Sequence, residues 1–328
     1  MANILDIISA VTPMGGTITK LRVLMTGTNC HHHVLYHPGF IANKTTIEKE
    51  ILWYKEHNIP AYYGIYGRNI FKNAWEVTKI IKKHHIDIVH FYFNHEQSFA
   101  GLVKLLNPNI KMIRSIVGYE RKLPFLRHLA AQISFSFIPN YIYISHYIKN
   151  LYEKDYPTLK KKHTYIIYNG AVNVIENTTP IAQRNKIVVI GGLCERKNTD
   201  VLIECMNIIV NTYHRKDIVL YIIGDGPDRI KYEAKLKQYN IGNNVILVGY
   251  TNKVSEYLND CAVYVHPATT EGFGIAVTEA MQMHCPCVVA NKGALPELIS
   301  NGECGFVIDA FNPKEWAEKI MFLFDNIK

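Results

Sequence analysis

Short runs of β-branched and aromatic residues alternate with longer amphipathic stretches along the whole chain, as where KIVVIGG (186–192) precedes the stretch Thr199–Tyr213. The short runs have the length of strands, and the longer stretches have the length and apolar spacing of helices. Alternating βαβ units place helices on both faces of a parallel sheet. The pattern therefore predicts an α/β protein built from doubly wound parallel sheets.

Twelve segments meet these criteria for a strand. They are residues 4–10, 32–37, 61–66, 87–93, 111–117, 141–145 and 165–169, then 186–192, 218–224, 244–249, 262–267 and 286–291. The clearest helices of the second half are Thr199–Tyr213, Asp228–Tyr239, Ile275–His284 and Lys314–Asn326.

Between these two sets of strands lies a polar, proline-containing stretch, residues 171–185, that has no clear periodicity. A chain of 328 residues favours two domains. We therefore predict two tandem Rossmann-like domains, residues 1–178 and 179–328. Ligands of open α/β sheets bind at the carboxyl ends of the strands, so we expect the active site in a cleft that the domains share.

The overall composition is that of a folded protein, with 48% apolar and 20% charged residues, which excludes disordered, collagen-like and coiled-coil classes. The start MANILDIISA has no basic residue and contains Asp6, so we expect no secretory signal and a cytoplasmic location. The segments poor in charge are interrupted by polar residues, and we predict no transmembrane helix. The seven scattered cysteines indicate reduced thiols, with Cys285 and Cys287 as small buried residues.

Positive charge is concentrated in the first 180 residues, which hold 21 Lys and Arg against 11 Asp and Glu, whereas the remainder holds 15 against 17. Such a basic half suits an anionic partner such as a phosphorylated substrate or an acidic membrane surface, although it is also compatible with solvated surface charge. A nucleic-acid partner is disfavoured because the basic residues are not interleaved with aromatic ones. The stretch 121–130 is either an amphipathic membrane-surface segment or an ordinary surface helix.

The segment HPATTEGFGIAVTEAM (266–281) runs from an apolar strand through a polar turn and Gly272-Phe273-Gly274 into a helix that begins near Ile275. Glycines allow close approach of the backbone to a ligand, and a helix amino end favours a phosphate or diphosphate. Glu271 and Glu279 are natural acceptors for sugar and ribose hydroxyls. The alternative is that Glu271 caps the helix and Glu279 lies on the surface.

Two further loops follow predicted strands. Gly224 and Gly226 in IIGDGPDR (222–229) indicate either a ligand loop or a tight strand-to-helix turn. Arg196 and Lys197 in IGGLCERKN (190–198) either clamp a diphosphate or form a solvated pair.

In the first half, Gly15 and Gly16 follow the first strand and could approach a phosphate, but the rest of a dinucleotide fingerprint is missing, which disfavours a nicotinamide site. Residues 30–33, Cys-His-His-His, resemble metal ligands. Consecutive strand residues point to opposite faces, so we expect no metal site there.

In their order and spacing, these segments resemble the retaining, nucleotide-sugar-dependent glycosyltransferases of family 4, which have the two-domain GT-B architecture. The segments that carry the resemblance are residues 165–173, 190–198, 222–227, 245–250, 263–281, 285–299 and 304–309. The first half matches more loosely, through residues 13–16, 87–93 and 141–145.

The resemblance implies that a hexosyl group is transferred from a UDP- or GDP-sugar to a hydroxyl of a glycan or lipid-linked acceptor, as in surface polysaccharide or glycolipid biosynthesis. It implies no cofactor and no essential metal. The roles that it implies are the donor sugar for Glu271, the diphosphate for Arg196 and Lys197, and the ribose for Glu279. The other donor-binding residues that it implies are Gly15, Gly16, Gly224, Tyr250, Gly272, Phe273, Gly274 and Ile275.

Two positions depart from the family pattern. Gly192 stands where an arginine is common, with Arg196 as a substitute, and the strand 111–117 carries no histidine for the sugar. Two alternatives stay open: an epimerase or hydrolase that acts on a nucleotide sugar with the same architecture, and, motivated by these departures, a nucleotide-sugar-binding partner without activity.

Overall fold

The computed structural model describes residues 1–8, 16–36, 44–63, 69–92, 98–119, 125–170, 179–180 and 183–326. The chain divides into two compact units, Met1–Asn169 and Gly170–Lys328. The predicted boundary falls a few residues later, between 178 and 179, and residues 171–178 lie outside the described part. Thr179 is attached to the second unit, because its hydroxyl donates a hydrogen bond to Asp260 Oδ1 at 2.9 Å.

The first unit is a parallel sheet with helices between its strands. Its strands are β1 (Asn3–Ile8), β2 (His31–Tyr36), β3 (Ala61–Tyr63), β4 (Ile88–Phe91), β5 (Lys111–Ile116), β6 (Asn140–Tyr143) and β7 (His163–Ile166). Its helices are α1 (Gly16–Gly27), α2 (Lys44–Glu56), α3 (Ile70–His84), α4 (Ala100–Leu106), α5 (Phe125–Phe137) and α6 (His146–Asp155). The strands lie in the order β3-β2-β1-β4-β5-β6-β7.

The second unit repeats this plan. Its strands are β8 (Lys186–Ile190), β9 (Val219–Ile223), β10 (Val245–Gly249), β11 (Cys261–His266), β12 (Cys287–Ala290) and β13 (Gly305–Ile308). Its helices are α7 (Thr199–Asn207), α8 (Arg229–Tyr239), α9 (Val254–Asn259), α10 (Ile275–Gln282) and α11 (Pro313–Asn326). The strands lie in the order β10-β9-β8-β11-β12-β13, and all described neighbours pair in parallel.

Each sheet reverses its direction of growth once. In the second unit the chain moves outward from β8 to β10 and then returns to place β11 beside β8. A reversal of this kind opens a crevice at the carboxyl ends of the two central strands. The loops that follow Ile190 and His266 are therefore neighbours, although they are far apart in the sequence.

The central strand β11 is buried at every position. Its side chains pack into the apolar core of the unit together with Trp316 of α11. Burial on both faces explains why the strand reads as a continuous apolar run in the sequence. The imidazole of His266 ends this run at the edge of the crevice.

The doubly wound parallel fold predicted from the sequence is confirmed in both units. A strand was missed at β13, a four-residue edge strand whose central residues are only partly buried and whose apolar signal is correspondingly weak. The α-helical part of the predicted helix Thr199–Tyr213 ends at Asn207, and a π-helical turn, Ile208–Thr212, completes it. Among the helices described, none is long and apolar enough to cross a membrane.

Candidate functional site

Two glycine loops pack against each other at the carboxyl ends of β8 and β9. A Cβ atom on Gly224, whose φ is +137°, would lie 2.0 Å from the carbonyl oxygen of Gly191. A Cβ on Gly226 would lie 2.3 Å from the carbonyl oxygen of Leu193. Glycine is therefore required here for close backbone packing, which is a role that needs no ligand.

The amino end of α10 lies beside these loops. Gly274 precedes the helix with a φ of +104°, and Phe273 is buried. A Cβ on Gly274 would press on the side chains of Leu295 and Leu298 at 3.1 and 3.2 Å. The first backbone N–H groups of a helix have no partner within it, so this end of α10 favours an anion.

Glu271, in the loop between β11 and α10, is held by its backbone and by its side chain. Its carbonyl oxygen accepts a hydrogen bond from the Ala294 N–H at 2.9 Å, and Gly293, with a φ of +63°, lets the backbones approach. Its carboxylate Oε2 lies 2.6 Å from Lys197 Nζ and 3.3 Å from His266 Nε2. Within the described part of the chain, nothing donates a hydrogen bond to Oε1.

The environment of Glu271 keeps its carboxyl group ionised. Burial alone would raise the pKa of Glu271, but the hydrogen bond from His266 and the positive charge of Lys197 outweigh it and hold the pKa well below its usual range. The side chain remains 18% exposed. The site therefore presents a fixed negative charge with one oxygen available.

Lys197 is positioned by the turn after β8. The short helix Glu195–Lys197 ends at Asn198, which has a left-handed conformation with a φ of 52°. The Asn198 amide donates hydrogen bonds to the carbonyl oxygens of Pro267 and Ala310, at 3.2 and 2.7 Å. The Asn198 side chain therefore connects the turn that carries Lys197 to the loops that follow β11 and β13.

Arg196 is held through its backbone only. Its carbonyl oxygen accepts hydrogen bonds from the N–H and the hydroxyl of Thr269, at 2.9 and 3.2 Å. The residue is exposed, and its guanidinium forms no ion pair within the described residues. Gly192 is also exposed, and a Cβ there would meet only the Asp225 carbonyl oxygen at 3.6 Å. A side chain at position 192 would thus fit.

His266 and Tyr264 were given no role from the sequence. Both are buried, and they are two residues apart in β11, so their side chains leave the same face of the strand. Tyr264 Oη lies 3.1 Å from His266 Nδ1. Burial lowers the pKa of His266, which keeps the imidazole neutral. The only sequence signal for the contact between His266 and Glu271 was the His-Pro dipeptide at 266–267, which comes shortly before Glu271.

The remaining predicted residues are distributed over both units. Glu279 lies in α10, and burial raises the pKa of its carboxyl group. Tyr250, directly after β10, is 65% exposed. Gly16 begins α1 in the first unit, and Gly15 lies outside the described residues.

A second histidine–carboxylate network lies in the first unit, and the sequence analysis missed it. Asp6 of β1 is fully buried; its Oδ2 lies 2.7 Å from His32 Nδ1, and its Oδ1 accepts a hydrogen bond from the Tyr92 hydroxyl at 3.1 Å. His90 Nδ1 lies 3.4 Å from Oδ1, and His90 Nε2 lies 2.9 Å from Ser115 Oγ. The signal was a carboxylate and two histidines inside runs that were otherwise predicted to be buried strands.

The thiol and histidine candidates form no metal site in the part of the chain described: no group of three or more potential ligands comes together there. His32, from the run 30–33, is instead engaged with Asp6. Cys285 and Cys287 are buried, as predicted.

A protein-family model matches most of the second unit. The family model described as glycosyl transferases group 1 matches residues 174–328. An uncharacterized glycosyltransferase of Methanocaldococcus jannaschii is 26% identical over 280 residues, which cover 82% of this chain and 75% of that protein. The poly(ribitol-phosphate) alpha-N-acetylglucosaminyltransferase of Staphylococcus aureus is 30% identical over 156 residues, 46% of this chain and 31% of that protein.

Solved structures share the whole architecture. The structure of HepE from Anabaena in complex with UDP superimposes with a TM-score of 0.80 at 16% sequence identity, covering 99% of this chain and 90% of that one. A glycosyltransferase from Rickettsia africae superimposes with a TM-score of 0.79 at 18% identity, covering 99% and 88%. These similarities show the GT-B fold.

Proposed function

We propose that this chain moves a hexosyl group from a nucleotide diphosphate sugar to an acceptor hydroxyl with retention of configuration. The chain is a glycosyltransferase of the GT-B fold, and its residues 174–328 match the model of the glycosyl transferases group 1 family. The observation that carries this proposal is the meeting of Lys197, Glu271 and the amino end of α10 at the end of β11. A cation and the amino end of a helix suit a diphosphate, and an ionised carboxylate suits sugar hydroxyls.

In the proposed reaction, the bond between the anomeric carbon and the diphosphate breaks, and negative charge develops on the leaving group. Lys197, the exposed Arg196 and the amino end of α10 stabilise that charge. The leaving phosphate then takes the proton of the acceptor hydroxyl as the new bond forms on the same face of the sugar. No protein nucleophile takes part in this scheme.

Glu271 has a different task in this scheme. Lys197 and His266 both approach Oε2, so Oε1 is left to accept hydrogen bonds from hydroxyls of the donor sugar. A carboxylate held in this way orients the ring and stabilises the positive charge that develops at the anomeric carbon.

The nucleoside is assigned to Glu279 and Tyr250. An ionised Glu279 would accept hydrogen bonds from the ribose hydroxyls, and the exposed Tyr250 ring would lie near the base. We propose a UDP-sugar as the first donor to test and a GDP-sugar as the second, since HepE, which has the same fold, was solved with UDP and with UDP-glucose.

For the acceptor we propose a hydroxyl of a surface glycan or of a lipid-linked glycan. The Staphylococcus aureus relative is named for a poly(ribitol-phosphate) acceptor. An anionic acceptor of this kind would suit the basic first unit.

The first unit also carries features that support contact with an acidic membrane surface. On α5, Leu129, Ile133 and Phe137 are 44–55% exposed and recur every four residues, so they form one apolar row. Lys162 lies at the end of that row, where its Nζ donates a hydrogen bond to the Ser136 carbonyl oxygen at 2.7 Å. An exposed apolar row beside lysines is the arrangement that binds anionic lipid surfaces.

The donor proposal is tested by calorimetric titration of the protein with uridine, guanosine, adenosine and thymidine diphosphate sugars. We expect binding of one base class, weakened about tenfold in Glu279→Ala because two ribose hydrogen bonds to a charged group are lost. Glu233→Ala, which removes an exposed carboxylate from α8, is the matched control and should leave binding unchanged. Equal binding by Glu279→Ala and the wild type would remove Glu279 from the donor site.

The membrane proposal is tested by flotation with vesicles of phosphatidylcholine alone or mixed with phosphatidylglycerol. We expect binding to the anionic vesicles only, reduced by Ile133→Ser and by added salt. Leu52→Ser, which removes a similarly exposed leucine from α2, is the control. Binding that is absent, or equal for both kinds of vesicle, would contradict the proposal.

A further inference from the structure

The glutamate of the candidate site does not stand alone, because a chain of two buried side chains leads to it from the core. His266 is 2% exposed, and Tyr264 is completely buried. Their rings lie nearly parallel, with centroids 6.1 Å apart and an interplanar angle of 24°. The chain therefore links the central strand of the sheet to the carboxylate of Glu271 at the crevice.

The direction of the hydrogen bonds in this chain follows from chemistry. An ionised carboxylate can only accept, so His266 Nε2 must carry the hydrogen that points to Glu271 Oε2. A neutral imidazole then has an unprotonated Nδ1, which accepts the hydroxyl hydrogen of Tyr264. Glu271 thus sets the tautomer of His266, Tyr264 orients the ring by donating to Nδ1, and His266 fixes the position of the carboxylate.

Lys197 and His266, which both contact Glu271 Oε2, differ in charge and in flexibility. Lys197 supplies a positive charge, but its ammonium group is a flexible point charge that a bound diphosphate would also attract. His266 is buried and rigid, and burial together with the nearby charges of Lys197 and Arg196 disfavours its protonated form. A neutral donor can hold the carboxylate in place without cancelling its charge.

We infer that His266, oriented by Tyr264, is a positioning residue for sugar transfer, which keeps Glu271 Oε1 directed at the donor sugar when Lys197 turns to the diphosphate. This inference rests on the proposed function for its kinetic consequence, but the tautomer and the geometry do not depend on it. It assigns to His266 an effect on the rate of transfer and little effect on nucleotide binding.

The kinetic test compares His266→Ala, His266→Gln and Tyr264→Phe. We expect His266→Ala to lower kcat about 100-fold, because the carboxylate is no longer held. KM for the donor and Kd for the nucleoside diphosphate should stay within about twofold. His266→Gln, whose amide offers one donor and one acceptor, should recover most of the rate. Tyr264→Phe should lower kcat about fivefold, since one neutral hydrogen bond is lost.

The matched control is Tyr232→Phe, which removes another buried hydroxyl of the same unit, one that lies 3.4 Å from Asp228 Oδ2. Its kcat should equal that of the wild type. A rate loss in Tyr232→Phe as large as in Tyr264→Phe, or a loss of nucleotide affinity as large as the loss of kcat, would overturn the positioning role.

A second measurement separates this inference from the proposed function. Nitrogen-15 NMR of the histidine rings, with the His266 signal assigned by its loss in His266→Gln, should show a neutral ring protonated at Nε2 from about pH 7 to 8.5. In Tyr264→Phe the signal of the unprotonated Nδ1 should shift, because this nitrogen no longer accepts the hydroxyl hydrogen of Tyr264. A ring protonated at Nδ1, or doubly protonated in this range, would overturn the inference even in an active enzyme. A wild type that shows the expected tautomer but transfers no sugar would overturn the proposed function alone.

Discussion

The two units each contain a carboxylate held by histidine near the carboxyl end of a central strand, but the two networks differ in exposure. Asp6 in the first unit is fully buried, and both of its oxygens contact protein groups. Glu271 in the second unit is 18% exposed, and its described contacts all fall on one oxygen. Both oxygens of Asp6 are therefore engaged by protein groups, whereas Oε1 of Glu271 is left to accept hydrogen bonds from a ligand.

Residue types alone do not distinguish a structural network of this kind from a functional one. In both networks the pKa of the carboxyl group is lowered, although burial by itself would raise it, because histidine neighbours favour the ionised form. The difference is the cation: Lys197 lies beside Glu271, whereas the described partners of Asp6 are histidines and a tyrosine hydroxyl. Partial exposure and a neighbouring cation mark the site at which a ligand can bind.

The largest expected effect is on stability, from Asp6→Ala. Removal of the carboxylate takes away the acceptor of His32 Nδ1 and one acceptor of the Tyr92 hydroxyl, and we expect the free energy of unfolding to fall by about 3–5 kcal/mol. Urea unfolding followed by the fluorescence of Trp53 and Trp75, which lie in the first unit, measures this loss. A change below about 1 kcal/mol would show that the network is not what stabilises the unit.

The next effect is on activity, from Glu271→Gln. The substitution keeps the size of the side chain but removes its charge, so we expect kcat to fall about 10²–10³-fold, as when other electrostatic stabilisers of a transition state are lost. The free energy of unfolding should change less than in Asp6→Ala, because the Glu271 side chain is 18% exposed whereas Asp6 is fully buried. Normal turnover by this variant would show that Glu271 takes no part in the mechanism and does not differ from Asp6 in having a functional role.

Acidification should affect the first unit through the same carboxylate. The pKa of Asp6 is lowered in the folded state, so the stabilisation is present above the unfolded value of about 3.9 and is lost as the pH falls below it. We expect unfolding curves of the wild type at about pH 6 and pH 3 to differ more than those of Asp6→Asn. Equal pH dependence in both proteins would assign acid sensitivity to other groups.

The smallest effect is expected from Ser115→Ala, at the outer end of the first network. The loss of the contact with His90 should lower stability by about 1 kcal/mol and leave kcat unchanged. Tyr264→Phe, at the buried end of the second network, should cost a similar amount of stability, because it also loses a buried hydrogen bond, but it should in addition lower kcat about fivefold. Initial rates and urea midpoints of the two variants, measured side by side, would show whether the networks are separable.

Much of the fold could be predicted because its signals are local. The alternation of apolar runs and amphipathic stretches predicts the strand and helix of each βαβ unit, and the glycines at 224 and 226 mark turns. The edge strand β13 was missed because four half-buried residues carry little periodicity. The π-helical turn at Ile208–Thr212 was missed because it has the same apolar spacing as the α-helix before it.

The site was predicted only in part. Lys197 and Glu271 were selected by their positions after strands and by family resemblance, and the structure brings them within 2.6 Å. His266 and the Asp6 network were not selected, because a histidine inside an apolar strand gives no local sign of its partner. The roles of Glu279, Tyr250 and Gly16 in donor binding stay predictions.

By itself the sequence determined the parallel α/β plan, the glycine loops at the strand ends, and the residue types that can meet a diphosphate and a sugar, because each depends on neighbours within a few positions. Only the tertiary structure decided that Asp6 is fully buried with both oxygens in contact with protein groups, and that Glu271 faces the crevice. That decision depends on contacts between residues 74 positions apart, as for Lys197 and Glu271, and on burial by other strands. Neither is encoded in any short stretch of the chain.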